Sequence, residues 1–287
     1  MGMKKRQAAR ASIDGNKGGG ATPSGQGTDD GATFQFDFDF GSYQPTPLDR
    51  AQDLIYDAWQ AQTRASAIHI AKSALIVSPD CADAYSLLGK FSNDSKAAIA
   101  LYEEGVAAGE RALGPAEFKH AAGHFWGVHE TRPYMRARAG LAERLKEVGR
   151  ADESISHYQE MLVLNPGDNQ GLRYLLAVCL TETHRHQELR SLLATYDEAT
   201  AYFLFLEALV EFRELGDCKR SNSALSKATA ANPYLIPYLI GEKEMPDEMP
   251  DYMGIGDELE AISVASHTSD VWQQTPGAID WLRAGRT

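Results

Sequence analysis

The sequence predicts an all-α fold: an α-α superhelix (solenoid) of about five helix pairs, closed by a helical C-terminal cap and preceded by a disordered N-terminal tail. Three observations carry this. A helix-turn-helix pattern closing at Pro166 is repeated in one closing at Pro233. With the proline at position 32, Met135 and Tyr202 take position 1, and Leu141/Ala142 and Ala208/Leu209 fill positions 7 and 8. Gly149 and Gly216 then fall on the two inter-helix turns, independently of the prolines. The frame also opens at Leu48, where Leu54, Ile55, Ala58, Ala67, Ala71, Ala74 and Pro79 fill its small, apolar and closing positions.

In chain order, residues 1–45 read as a disordered Gly-rich tail, because the stretch from Gly15 to Gly31 is too polar to offset the entropy of ordering it. Near its end Phe34, Phe36, Phe38 and Phe40 alternate with Gln35, Asp37 and Asp39, so an extended chain carries every ring on one face. This is either a linear motif that fills a partner's groove or sheet edge, or a sticky tail segment. Thr46-Pro47-Leu48-Asp49 is a helix start, with Thr46 as cap and Asp49 in the role of a capping-box carboxylate.

The helix-pair array spans 46–241, with copies at about 48–81, 82–115, 135–168, 169–201 and 202–235. The second copy has a short turn, Ser92 to Ser95, and a long second helix from Lys96 through Ala112, before Gly114-Pro115. The fourth, from Asn169, is about one residue short of a 34-residue period and lacks both the turn glycine and the closing proline. Leu141, Leu175, Leu176 and Leu225 are expected in the core. Residues 242–287 form an acidic linker and capping helices, since a solenoid's open end needs covering. A helix is expected from about Asp257 to Trp272, and Thr275-Pro276 repeats the cap arrangement of Thr46-Pro47.

Composition excludes several classes. A net charge of -12 argues against nucleic acid, which calls for clustered Lys and Arg. Cys81, Cys179 and Cys218 match neither a zinc site nor a disulfide framework, as expected of reduced thiols. No apolar run approaches the ~18 residues of a membrane span. The basic start, MKKRQAARAS, has no apolar stretch after it and so does not read as a secretory signal. A cytoplasmic, soluble protein is the expectation.

Residues 116–134 fall outside the period. His120 and His124 are four apart, on one side of a helix, and His129 with Glu130 follows, so a metal site or enzyme built on these four is the alternative reading. The other is an elaborated connection filled by Phe118, Phe125 and Trp126, with Thr131 capping the helix that holds Pro133. No phosphate loop, nucleophile elbow or paired-carboxylate spacing accompanies the histidines, so neither catalytic residues nor a cofactor is expected.

The period, the small or apolar residues at positions 7, 8 and 20 and the closing prolines resemble the tetratricopeptide repeat. The stretches ETRPYMR, LNPGDNQGLRYLL, NPYLIPYLIG and GDELEAISVASHTSDVWQQTPGA resemble bacterial tetratricopeptide proteins related to the vertebrate suppression of tumorigenicity family, numbered seven. That resemblance covers roughly residues 118–283 and implies an all-helical repeat protein without a catalytic motif. The vertebrate members are membrane-associated, which this chain has no span to match.

In a tetratricopeptide array, positions 2, 5, 9, 12 and 13 of the first helices line the concave face. Here they supply Asp83, Ser86, Lys90 and Asn93 from the second copy, and Arg136, Ala139, Glu143, Lys146 and Glu147 from the third. Gln170, Arg173, Ala177, Leu180 and Thr181 come from the fourth, and Phe203, Leu206, Val210, Arg213 and Glu214 from the fifth. The expected function is a non-catalytic protein-protein interaction scaffold whose groove holds an extended acidic peptide. Lys90, Asn93, Arg136, Lys146, Gln170, Arg173 and Arg213 would meet its charge, and Phe203, Leu206 and Val210 its apolar groups. Alternatively, neighbouring glutamates neutralise these cations, or the chain's own segment from Glu242 to Glu260 lies in the groove.

Overall fold

The computed structural model describes residues 44–249, 252 and 254–285. The readings of a disordered tail and of a Phe34–Phe40 motif lie outside these residues. Every regular element among the described residues is helical. They are α1 (Pro47–Trp59), α2 (Arg64–Val77), α3 (Ala82–Lys90), α4 (Ser95–Ala121), α5 (Arg132–Glu147), α6 (Ala151–Leu164) and α7 (Leu172–Glu182). There follow α8 (His186–Tyr196), α9 (Ala201–Leu215), α10 (Lys219–Ala231), α11 (Leu235–Leu239), α12 (Glu258–Gln273) and α13 (Ala278–Ala284).

Local chemistry accounts for the boundaries. At α1 the Thr46 hydroxyl accepts from the Asp49 amide (3.1 Å) and the Asp49 carboxylate accepts from the Thr46 amide (2.8 Å), a reciprocal capping box with Pro47 behind it. At α2 the Thr63 hydroxyl accepts from the Ser66 amide, and at α4 the Asp94 carboxylate accepts from the Lys96 and Ala97 amides, one-way caps without the reciprocal bond. Gly149 and Gly216 end α5 and α9 with φ of +80° and +67°, a region that costs an L side chain strain. In the fourth copy, which lacks a turn glycine, His184 bends the α7–α8 connection at φ +57°.

The expected break at Gly114-Pro115 is a kink, not an end. Gly114 is non-helical (φ 66°, ψ 166°), yet helical structure resumes from Pro115 to Ala121 and a short 3-10 turn, Phe125–Gly127, leads to α5. Thr131 does not cap α5: its hydroxyl donates to the carbonyls of Phe125 and Val128, tying the 3-10 turn down instead. Thr275 does not cap α13 either, because its hydroxyl bonds back to the Val271 carbonyl (2.7 Å) in the last turn of α12.

Each helix from α1 to α8 packs on the next, and α9 packs on α10. Odd-numbered helices also touch across pairs: α1 with α3, α3 with α5, and α7 with α9. Where α3, α4 and α5 meet, the Tyr102 ring lies between Gly89 and Gly140; a Cβ at Gly140 would stand 2.2 Å from the ring. The largest core runs from the end of α4 to α13, and a smaller one joins α1, α2 and α3. Leu141, Leu176 and Leu225 are buried as expected, whereas Leu175 is only partly so.

Near the C-terminus α12 packs against both α7 and α9, with Ala261, Val264, Ala265 and Trp272 fully buried.

Candidate functional site

The helices α1, α3 and α5 meet through polar and aromatic side chains. Arg136 of α5 grips Asp83 of α3 with two hydrogen bonds, Nε to Oδ1 at 2.7 Å and Nη2 to Oδ2 at 2.5 Å. The Asp83 side chain is 1% exposed. Its Oδ2 also accepts from Gln52 Nε2 of α1 at 2.9 Å. The same guanidinium lies 5.2 Å from the centre of the Trp59 ring, and Trp59 packs on Tyr56 with ring centres 5.5 Å apart. Both rings remain 47% exposed, which is unusual for large aromatic groups that have a core within reach.

Sequence reasoning missed Tyr56 and Trp59, although the repeat frame could have found them. Begun at Leu48, it puts Asp49, Gln52, Tyr56 and Trp59 at positions 2, 5, 9 and 12, the set used to choose residues from the later copies. The wall continues along α3 and α5 with exposed Lys90 and Glu143. Although Glu143 reaches the surface, the protein around it desolvates its carboxyl and raises the pKa, and Glu147 adds to the shift.

At one edge of this wall, a cavity of about 250 Å³ opens between α1, the end of α4 and the start of α5. Leu48, Tyr56, Leu113, Pro133 and Tyr134 are among its apolar sides, and Asp49, Gln52, Asp80, His129 and Glu130 are its polar lining. Asp80 is paired with Arg111 (2.8 Å).

The rest of the expected groove is not an open cationic channel. Asp83 neutralises Arg136, and Lys146 pairs with Glu182 at 3.0 Å. Arg173 is held by Asp168 (2.8 Å) and Glu198 (3.0 Å), and also lies over the Tyr174 ring. Asn93 accepts from Arg64 (2.9 Å). The Gln170 Oε1 is buried without a hydrogen-bond partner. Phe203, Leu206 and Val210 are core residues, at 2%, 0% and 2% exposure, and cannot offer apolar contact to a partner. Packing of α9 on its neighbours accounts for this: Phe203 meets Tyr174 of α7 edge-on, and α12 packs on α7 and α9, where Tyr202 donates to the Ser263 carbonyl (3.0 Å) and Phe205 packs edge-on against Trp272.

Arg213 belongs to the same contact. It donates to Thr275 Oγ1 (2.9 Å), to the Thr181 carbonyl at the end of α7 (2.6 Å) and to the Val271 carbonyl at the end of α12 (3.3 Å). A cation suits the negative ends of two helices. Burial there pushes its pKa down. The segment proposed for self-occupancy, Glu242 to Glu260, overlaps the helix that covers the wall, α12, only in its first turn, Glu258 to Glu260.

The histidine alternative is not assembled. His120, His124, His129 and Glu130 are all exposed, and no group of three or more His, Cys, Asp or Glu is placed to hold a metal among the described residues. The helix period that aligned His120 with His124 ends at Ala121, before His124. Among the described residues no helix is long and apolar enough to cross a membrane. Compared with models of known protein families and with curated proteins, the chain matches none.

Proposed function

We propose that this chain is a non-catalytic protein-interaction scaffold of tetratricopeptide-like design, holding an extended segment of a partner along the wall formed by α1, α3 and α5. One observation carries the reading: Gln52, Asp83, Arg136 and Trp59, on three successive first helices, touch one another, and Tyr56 and Trp59 stay half exposed beside them. Exposed aromatic rings, held in place by neighbours on a rigid wall, are what a protein-binding surface uses as anchors. The partner is no longer specified as acidic, since Arg136, Lys146 and Arg173 each have a carboxylate of the chain's own.

Exposed residues make the cleaner test, because replacing Arg136 or Arg173 would strand a buried carboxylate. Dodecapeptides selected on the immobilised full chain from a random display library would be titrated by fluorescence anisotropy against wild type, Trp59→Ala and Lys90→Glu. Trp59→Ala is expected to weaken the selected peptides about tenfold or more, the size of an aromatic anchor's contribution. Failure to select any peptide, or selected peptides indifferent to both substitutions, would overturn the reading.

A further inference from the structure

We propose that the cavity between α1, α4 and α5 receives an arginine or lysine side chain of the bound segment, so that the partner is a basic rather than an acidic peptide. This deepens the proposed function and rests on it.

The chemistry follows from the lining. Asp49, Asp80 and Glu130 bring three carboxylates to one cavity, and Arg111, paired with Asp80, is the guanidinium set against them. His129, Tyr56 and Tyr134 are the other titratable side chains on the lining. Asp49 is occupied in the capping box and Asp80 in its pair with Arg111, while Glu130 is in none of the ion pairs among the described residues. Glu130 is therefore the carboxylate through which the cavity meets a cation. On α1 the stripe continues outward, since Asp49, Asp53 and Asp57 recur every fourth residue and share one side of the helix.

Apolar walls complete the fit. A lysine or arginine carries a long aliphatic stem that packs on apolar surface while its head stays polar, and Leu48, Leu113 and Pro133 supply that surface. Tyr56 adds a half-exposed ring, which attracts a cation over its face. The ring also touches Trp59, so a segment that anchors on Trp59 passes the mouth of the cavity without a gap. An acidic side chain at this point would face the Glu130 carboxylate.

The test uses the peptides selected on the full chain. They are expected to contain an Arg or Lys, and changing it to Gln is expected to weaken binding about tenfold at low salt, in line with a cation held by a ring and a carboxylate. On Glu130→Gln or Tyr56→Ala, both exposed positions that leave the core intact, the same peptide change is expected to cost much less. Three results would count against the proposal. Peptides that depend on Trp59 but need no cation, or that need one with no coupling to Glu130 or Tyr56, overturn this inference and leave the scaffold reading standing. Peptides enriched in Asp and Glu do the same. Absence of any selected peptide removes both.

Discussion

The carboxylate of Asp83, almost wholly buried, is held in two-point contact by the guanidinium of Arg136, which also lies over the Trp59 ring. A lysine cannot reproduce that fork. Arg136→Ala leaves a buried charge with Gln52 as its remaining side-chain donor, and is expected to cost about 3 kcal/mol, the lower end for breaking a buried pair. Urea unfolding of Arg136→Ala, Asp83→Ala and the double variant checks this. The double variant is expected to be more stable than the sum of the single losses implies, because removing both partners strands neither.

Removing the C-terminal helices is expected to damage the protein, not to open a binding groove. Trp272, Val264 and Ala265 are fully buried, and Phe205, Leu206 and Leu209 are at zero exposure in the same core. Truncation after residue 257 would bare them, so the product is expected to aggregate or lose the α7–α10 region. A milder probe is Arg213→Ala, which takes one donor from each of the Thr181 and Val271 carbonyls and so removes a tie between α7, α9 and α12. Hydrogen exchange is expected to speed up in α7 and α12 while α1 to α3 stay protected. Unchanged exchange in α12 would show that Arg213 does not hold it.

Much of the helix layout was legible because it rests on local rules. The period placed α5, α6, α9 and α10, the cap chemistry placed α1, and Gly149 and Gly216 have the positive φ expected of inter-helix turns. The site was less legible, since it depends on which surface a distant segment covers. Nothing in the spacing of Phe203, Leu206 and Val210 told an open wall from a covered one; α12, some sixty residues on, decides it. The cationic groove failed for a related reason. Position in a repeat fixes the wall a side chain belongs to, but Arg173 finds Asp168 five residues before it and Glu198 in the next connection. Neither acid is at a groove position.

The turn glycines give a purely backbone experiment. A Cβ built at Gly149 or Gly216 meets nothing within 4 Å, so a substitution there is opposed by φ alone. Gly149→Ala is expected to cost about 1 kcal/mol, and Gly149→Val more, because a β-branched side chain tolerates the left-handed region least. Thermal unfolding of the two variants ranks them. In the fourth copy His184 already sits at φ +57°, so His184→Gly is expected to stabilise by a few tenths of a kcal/mol or more, the opposite sign.

Two carboxylates are expected to give opposite pH responses. Hydrogen bonding from Arg190, then from His186, lowers the Glu214 pKa to about 2. A depressed folded-state pKa contributes stability above the ordinary glutamate value and loses it as pH falls toward 2, so Glu214→Gln is expected to flatten the acid limb of the stability curve. For Glu143, desolvation and Glu147 raise the folded-state pKa. Stability from that site is complete below the unfolded value and declines as pH rises through the folded one. Glu143→Gln is therefore expected to raise the urea midpoint at pH 7 and leave it nearly unchanged at pH 4. A variant that gained equally at both would mean that the carboxyl was not held away from water by the wall it lines.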